Sequence, residues 1–239
     1  MYKIELTKLL HKKSIKTLMI IYAVLFLGLI GIYIYGESSL NLSIYNSGQF
    51  VLSSLNTMMA FMLPFIAIYI SSNTFVTEFK NKTIKNLYLL PVKKYEIYIA
   101  KLLSVQTLIA VILMMQFVLS LIFGTILDGF SLNLNTVTTY IGAFVILGLI
   151  NLMSSLFSMF FNSSGMIIIV SYIGFMVLNV LGIIIPKIQV ISLGHIMGQY
   201  QMLFSSLTLL LSVVAYYILF SVIGYQLFEK KEAMICQSE

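Results

Sequence analysis

Apolar residues gather into six long runs, at about 17–36, 51–76, 101–124, 137–160, 164–185 and 205–228, with short polar stretches between them. Each run is close to the roughly 20 residues that a helix needs to cross a hydrocarbon core of about 30 Å. The pattern predicts an all-α integral membrane protein whose residues 17–239 form one domain of six transmembrane helices. The fourth and fifth runs are joined only by Asn162, Ser163, Ser164 and Gly165. That is turn chemistry within a stretch too long for a single span, so a tight hairpin is expected there. Residues 1–16, MYKIELTKLLHKKSIK, read differently: Ile4, Leu9 and Leu10 fall near one side of a helix bracketed by Lys3, Lys8, Lys12 and Lys13. This predicts an interfacial helix with snorkelling lysines. The run that follows is as long as a full span, and no A-x-A-like site ends it, which favours an uncleaved first span over a signal peptide. Residues 187–205 are moderately apolar and punctuated by Gly, as expected of an outer hairpin or re-entrant piece packed on the spans.

One polar interruption is long and ordered in its chemistry: EFKNKTIKNLYLLPVKKYEIYIAK, from Glu78 to Lys101. Lys80, Lys82, Lys85, Lys93, Lys94 and Lys101 make it cationic, while Ile84, Leu87, Tyr88 and Pro91 recur at the spacing of an amphipathic surface helix. A charged helical segment at 77–100, between the second and third spans, belongs at a membrane interface.

Composition agrees with the pattern. The chain is 60% hydrophobic and 9% charged, against about 25% charged for a soluble domain. Its formal net charge of +6 comes from Lys alone, with no Arg. The lysines fall in the amino-terminal arm, the 78–101 stretch and the tail (Lys230, Lys231), whereas the opposite loops hold Glu37, Asp128, His195 and a single lysine, Lys187. The lysine-rich side is then cytoplasmic, with both termini on it. Positive charge so distributed reads as topology, and nucleic-acid binding is the weaker reading. The sole cysteine, Cys236, offers neither a disulfide framework nor a metal-ligand set.

None of the six runs carries an internal Asp, Glu, Lys or His. Proton relays, ion-coupled carriers and intramembrane metalloproteases all need such residues, so these classes are disfavoured. No catalytic or metal site is expected. The polar residues within the runs are mild: Asn56, Thr57, Gln106, Gln116, Asn151, Ser154, Ser155, Ser171 and Asn179. They serve either as helix-to-helix hydrogen bonds, worth about 0.6 kcal/mol each, or as a weakly polar cargo path formed by Asn56, Gln106, Gln116, Asn151 and Asn179. Gly142, Gly148, Gly174 and Gly182 permit close helix packing, and Pro64 should kink the second span. His11 and His195 lie outside the spans and are expected to be solvated. The chain has no G-x-x-x-x-G-K-[ST] phosphate loop, so uphill transport would draw its energy from another subunit.

The series Glu78, Thr83, Leu87, Leu89, Pro91, Lys93 with Lys94, Ile97 and Lys101 resembles the cytoplasmic coupling segment of the type 2 family of ABC exporter permeases. Lys82 stands where that family has Gly, and Lys disfavours the left-handed backbone that Gly accepts. The basic arm 1–16 is similar to the family's elbow helix. The size and six-span plan resemble the short bacterial permeases of antimicrobial-peptide immunity and export. The resemblance implies a cytoplasmic ABC ATPase partner that uses ATP, no cofactor bound by this chain, a second permease in a homo- or heterodimer, and a bacterial cytoplasmic membrane. It further implies that Leu87, Tyr88, Leu89 and Leu90 contact the ATPase, while Glu78 and Lys101 anchor the segment's ends at the membrane surface. The function implied is ATP-driven export of a hydrophobic or amphipathic cargo such as a peptide antibiotic. A non-transporting immunity or scaffold protein is the alternative, with an ion-coupled carrier behind it.

Overall fold

Inside a bilayer a chain has no water to satisfy its backbone, so long apolar runs close their hydrogen bonds within helices. The structure is a computed structural model that describes residues 1–40, 50–80, 93–127, 133–161, 163–184 and 193–237, all of it helical apart from turns and short connections. In chain order the helices are α1 (Tyr2–His11), α2 (Lys13–Leu40), α3 (Phe50–Ala60), α4 (Met62–Lys80), α5 (Lys94–Leu127), α6 (Leu134–Phe160), α7 (Ser164–Ile184), α8 (Leu193–Gly198) and α9 (Leu207–Gln237). A 3₁₀ turn at Tyr200–Met202 lies between the last two. Among the described residues, α2, α5, α6 and α9 are each long and apolar enough to cross a membrane, and α3 with α4 makes a fifth if the bent pair counts as one span. Each of the six apolar runs contributes helix, α7 being formed from the fifth.

The bend between α3 and α4 measures 50°. Its cause is Pro64, whose ring nitrogen has no hydrogen to give the Ala60 carbonyl one turn back. Regular pairing resumes at once, with the Phe65 amide donating to the Phe61 carbonyl at 3.2 Å.

Helix α6 is the axis of the bundle. Of its most apolar window 72% is buried, against 33% for α5, 22% for α2 and 17% for α9. It packs against α4, α5, α7 and α9. Two glycines let neighbours approach it: a Cβ at Gly142 would stand 2.3 Å from the Tyr200 carbonyl oxygen, and one at Gly148 would stand 2.0 Å from the Tyr217 hydroxyl. The first contact seats the 3₁₀ turn on α6. Gly174, by contrast, has only ordinary contacts near 4 Å, and the side of α7 that bears Gly182 lies outside the described residues.

Helix α1 departs from the amphipathic face expected of it. Ile4 is 61% exposed and Leu10 is exposed as well, whereas Glu5 and Leu9 are buried. Leu9 and Leu10 are consecutive and cannot share a face; Glu5 and Leu9, four residues apart, can. The buried face is the one turned to α5, against which α1 packs. Extended backbone at Lys12 (φ −69°, ψ 119°) then breaks the chain between α1 and α2. His11 is exposed, its Nδ1 2.9 Å from the Thr7 carbonyl, and His195 is half-buried in α8.

Candidate functional site

The two helix ends that border the 81–92 stretch carry opposite charges. Glu78 stands in the last turn of α4 and Lys101 two turns into α5. The structure pairs them directly: the Lys101 ammonium donates to Glu78 Oε2. It also donates to Glu5 Oε2 at 3.3 Å. The other oxygen of Glu78, Oε1, accepts from Lys8. Glu5 and Lys8 are three residues apart on α1, so one face of that helix supplies both a carboxylate and an ammonium. Lys101 and Glu5 are each 1% exposed and Glu78 is 4% exposed. Ions this deeply buried persist only when paired and hydrogen-bonded, and here two carboxylates balance two ammoniums.

Lys12, at the break after α1, completes the collar. Its ammonium donates to the Asn73 carbonyl and to Thr77 Oγ1, both at 3.0 Å, and so reaches α4 one turn before Glu78. Burial lowers its pKa from the ordinary lysine range, and the nearby Glu78 carboxylate opposes that shift. The result is a charged knot that ties α1 to the end of α4 and the start of α5.

An aromatic knot lies beside it. Phe75 and Phe79 of α4, Tyr98 of α5 and Phe228 of α9 form one buried cluster, with ring centroids 5.4 Å apart for Tyr98–Phe228 and 5.9 Å for Phe79–Phe228. Gly224 admits the Tyr98 hydroxyl, since a Cβ there would meet it at 2.1 Å. The Lys231 ammonium lies 4.7 Å from the Phe79 ring centre. It donates to the carbonyls of Ser158 at 3.0 Å and Phe161 at 3.4 Å. Ser158 lies in the last turn of α6 and Phe161 caps it, and a cation is favoured at that end of a helix. Five helices, α1, α4, α5, α6 and α9, are therefore fastened together at the lysine-rich end.

Of the residues expected in the coupling segment, Glu78 and Lys101 are brought together. Lys94 opens α5, and Lys93 just before it places its ammonium 5.9 Å from the Tyr95 ring centre. Thr83, Leu87, Tyr88, Leu89, Leu90 and Pro91 lie outside the described residues. The sequence reading missed Glu5 and Lys8. One signal was present, in that Glu5 is the sole acid in an arm with five lysines.

The cargo-path residues fall in separate places. Asn56 of α3 accepts from the Tyr200 hydroxyl and from Gln201 Nε2, the latter at 2.6 Å. Gln116, fully buried on α5, accepts from the Tyr22 hydroxyl of α2 at 2.5 Å. Gln106 and Asn151 each cross the α5–α6 contact to donate to a backbone carbonyl of the opposite helix, Phe144 and Leu102 respectively. The side chain of Asn179 lies outside the described residues. A cavity of about 820 Å³ between α2, α4 and α7 is lined by none of these five; Tyr22, Phe61, Phe65, Tyr69, Ile169 and Tyr172 are among its walls.

Fold and site define a multi-pass, all-helical membrane protein in which the described ion pairs are gathered at one end of the bundle, at the helix ends that border a polar segment. Comparison with known proteins makes the class specific. Residues 1–184 of the 239 match the family described as ABC-2 family transporter protein, and the chain belongs to that family. In this family the ATPase domain lies in a partner subunit. The chain is also similar to the uncharacterized membrane protein YdbK of Bacillus subtilis (strain 168), at 26% identity over 119 residues. That match takes in 47% of this chain and 48% of YdbK, so the chain spans about half the length of the curated relative it matches.

Proposed function

We propose that this chain is the membrane-spanning half of an ATP-driven exporter, driven through residues 77–100 by a separate cytoplasmic ATPase. The observation that carries the reading is the buried Glu78–Lys101–Glu5 cluster. A force applied to the segment between α4 and α5 reaches both helices at once, because their ends are bonded to each other and to α1. A short helix seated in a partner's groove transmits movement only if its roots are stiff. Leu87, Tyr88, Leu89 and Leu90 supply the apolar contact, with Thr83, Pro91, Lys93 and Lys94 shaping the segment.

In this reading α7 is a span beside α2, the α3–α4 pair, α5, α6 and α9, which gives six spans, both termini in the cytoplasm and a bacterial cytoplasmic membrane. The permease works paired with a second permease, as a homo- or heterodimer. Its cargo is hydrophobic or amphipathic, such as a peptide antibiotic, and the exporter confers immunity to it. The apolar walls of the 820 Å³ cavity beside the Pro64 bend suit such a molecule.

The test is reconstitution with the ATPase in liposomes. Deleting residues 84–90, or replacing Lys101 by Met, leaves ATP hydrolysis running while export falls to background, and the chain still inserts. Export that survives the deletion removes the coupling role.

A further inference from the structure

The exposed face of α1 carries charge that the collar does not use. Lys3, Thr7 and His11 follow one another along it at four-residue spacing, with Ile4 and Lys8 beside them, and all five are among the walls of a shallow groove of about 430 Å³. Residues so spaced on a helix share one side. No carboxylate is among the described walls, because Glu5, the one acid of the arm, is turned the other way and buried against Lys101. Lys8 is paired with Glu78, whereas Lys3 enters no ion pair among the described residues. The groove thus holds a cation with no counter-ion of its own.

His11 adds a directional donor. Its Nδ1 lies 2.9 Å from the Thr7 carbonyl, which can only accept, so Nδ1 carries the hydrogen. The neutral ring then presents a lone pair at Nε2, and only the protonated ring presents an N–H there. The Thr7 hydroxyl contributes no donor, its hydrogen being given to the Lys3 carbonyl at 2.8 Å. An anion in the groove is therefore met by His11 as imidazolium, and binding and ring protonation favour each other. The charged groups described on the helices that touch α1 are Lys13 and Lys16 of α2, Lys94, Glu96 and Lys101 of α5, and Glu78 of α4. The two nearest His11 in the chain, Lys12 and Lys13, are cations.

Position decides what supplies the anion. Only Lys12 separates α1 from α2, whose apolar span begins at Lys13, so His11 is held where acyl chains give way to headgroups. Ile4 and Leu10, both exposed, border the Lys3–Thr7–His11 line on its two sides. A bilayer interface accepts apolar side chains and the cations between them together. We propose that Lys3 and His11 form a binding site for the phosphate of an anionic phospholipid, with His11 engaged as imidazolium and Ile4 and Leu10 resting on the acyl chains. The site belongs to a single subunit and does not rest on the transport reading.

The test titrates the full chain in mild detergent with dioleoylphosphatidylglycerol and with the zwitterionic dioleoylphosphatidylcholine, read by native mass spectrometry at pH 6 and pH 8, which bracket the ordinary titration of an imidazole. The phosphatidylglycerol binds preferentially, and its preference rises severalfold from the higher pH to the lower. Lys3→Gln and His11→Gln each cut the preference at the lower pH about fivefold, the worth of one cation at a headgroup. His11→Gln also flattens the pH dependence, which a loss of structure alone would not do. Lys230→Gln removes an exposed lysine from α9 and measures what overall charge contributes, a change of less than about twofold. All three substitutions are at exposed positions, so the unfolding midpoint stays with the parent's. Equal losses in the three variants overturn the proposal in favour of diffuse attraction. A pH dependence that survives His11→Gln overturns it as well. So does the absence of any preference for phosphatidylglycerol, which would leave this face to a protein partner, and so does displacement of the lipid by equimolar inorganic phosphate, which would make the ligand a soluble anion.

Discussion

Lys101 has two carboxylates within reach and almost no solvent. Replacing it by Met strands Glu5 and leaves Glu78 with the half-exposed Lys8 alone, and breaking a buried pair in this way costs about 3–5 kcal/mol. The purified Lys101→Met chain should therefore unfold at markedly lower temperature or denaturant concentration. Adding Glu78→Leu should recover part of the loss, because one of the two buried carboxylates that faced Lys101 is gone. Full additivity of the two losses would show that the residues do not interact. Glu78 and Lys101 stand out in the sequence by their positions at the ends of a patterned segment. Their pairing was not, since residues 23 apart meet only through the geometry of two helices. Glu5 was hidden for another reason: one acid among five lysines reads as part of a solvated face until a buried cation is placed opposite it.

At the scale of elements, helix positions were legible because lipid demands long apolar runs wherever a helix crosses it. Proline chemistry likewise made the Pro64 bend legible. Pro64→Ala restores a donor to the Ala60 carbonyl and should straighten the 50° bend. Nitroxide labels at positions 53 and 73 should then move apart by roughly 2–3 Å, given about 1.5 Å rise per residue; an unchanged distance would place the cause in packing. Hydropathy could not tell which helix is central. Helices α6 and α9 have mean hydropathies of 2.0 and 2.2, yet 72% and 17% of those windows are buried, because lipid and protein interior are equally apolar solvents. The face of α1 escaped for the same reason, as its period is set by what α5 presents to it. Glu5→Gln weakens that docking, and hydrogen exchange over residues 2–11 should accelerate several-fold while exchange within α6 stays slow.

For the whole molecule, the proposed orientation rests on the lysine distribution. A cysteine in place of Glu37 should react with an impermeant maleimide from outside intact cells, and one in place of Asn86 only after permeabilisation; the reverse pattern would invert the topology. The proposed cargo path is the part least written in the sequence. Its mild polar residues all read as equivalent from hydropathy, and the structure distributes Asn56, Gln116 and the Gln106–Asn151 pair over three different helix contacts. The segment 77–100 is the centre of the proposed function, in which it would join the charged collar to a driving ATPase. The most direct measurement is affinity purification of the chain from its native membrane in mild detergent, with mass spectrometry of the proteins that accompany it, beside a Glu78→Ala, Leu87→Ala variant. An ABC ATPase that accompanies the parent and is lost from the equally abundant, membrane-inserted variant is the predicted result; an ATPase retained in full by the variant, or absent from both, would contradict it.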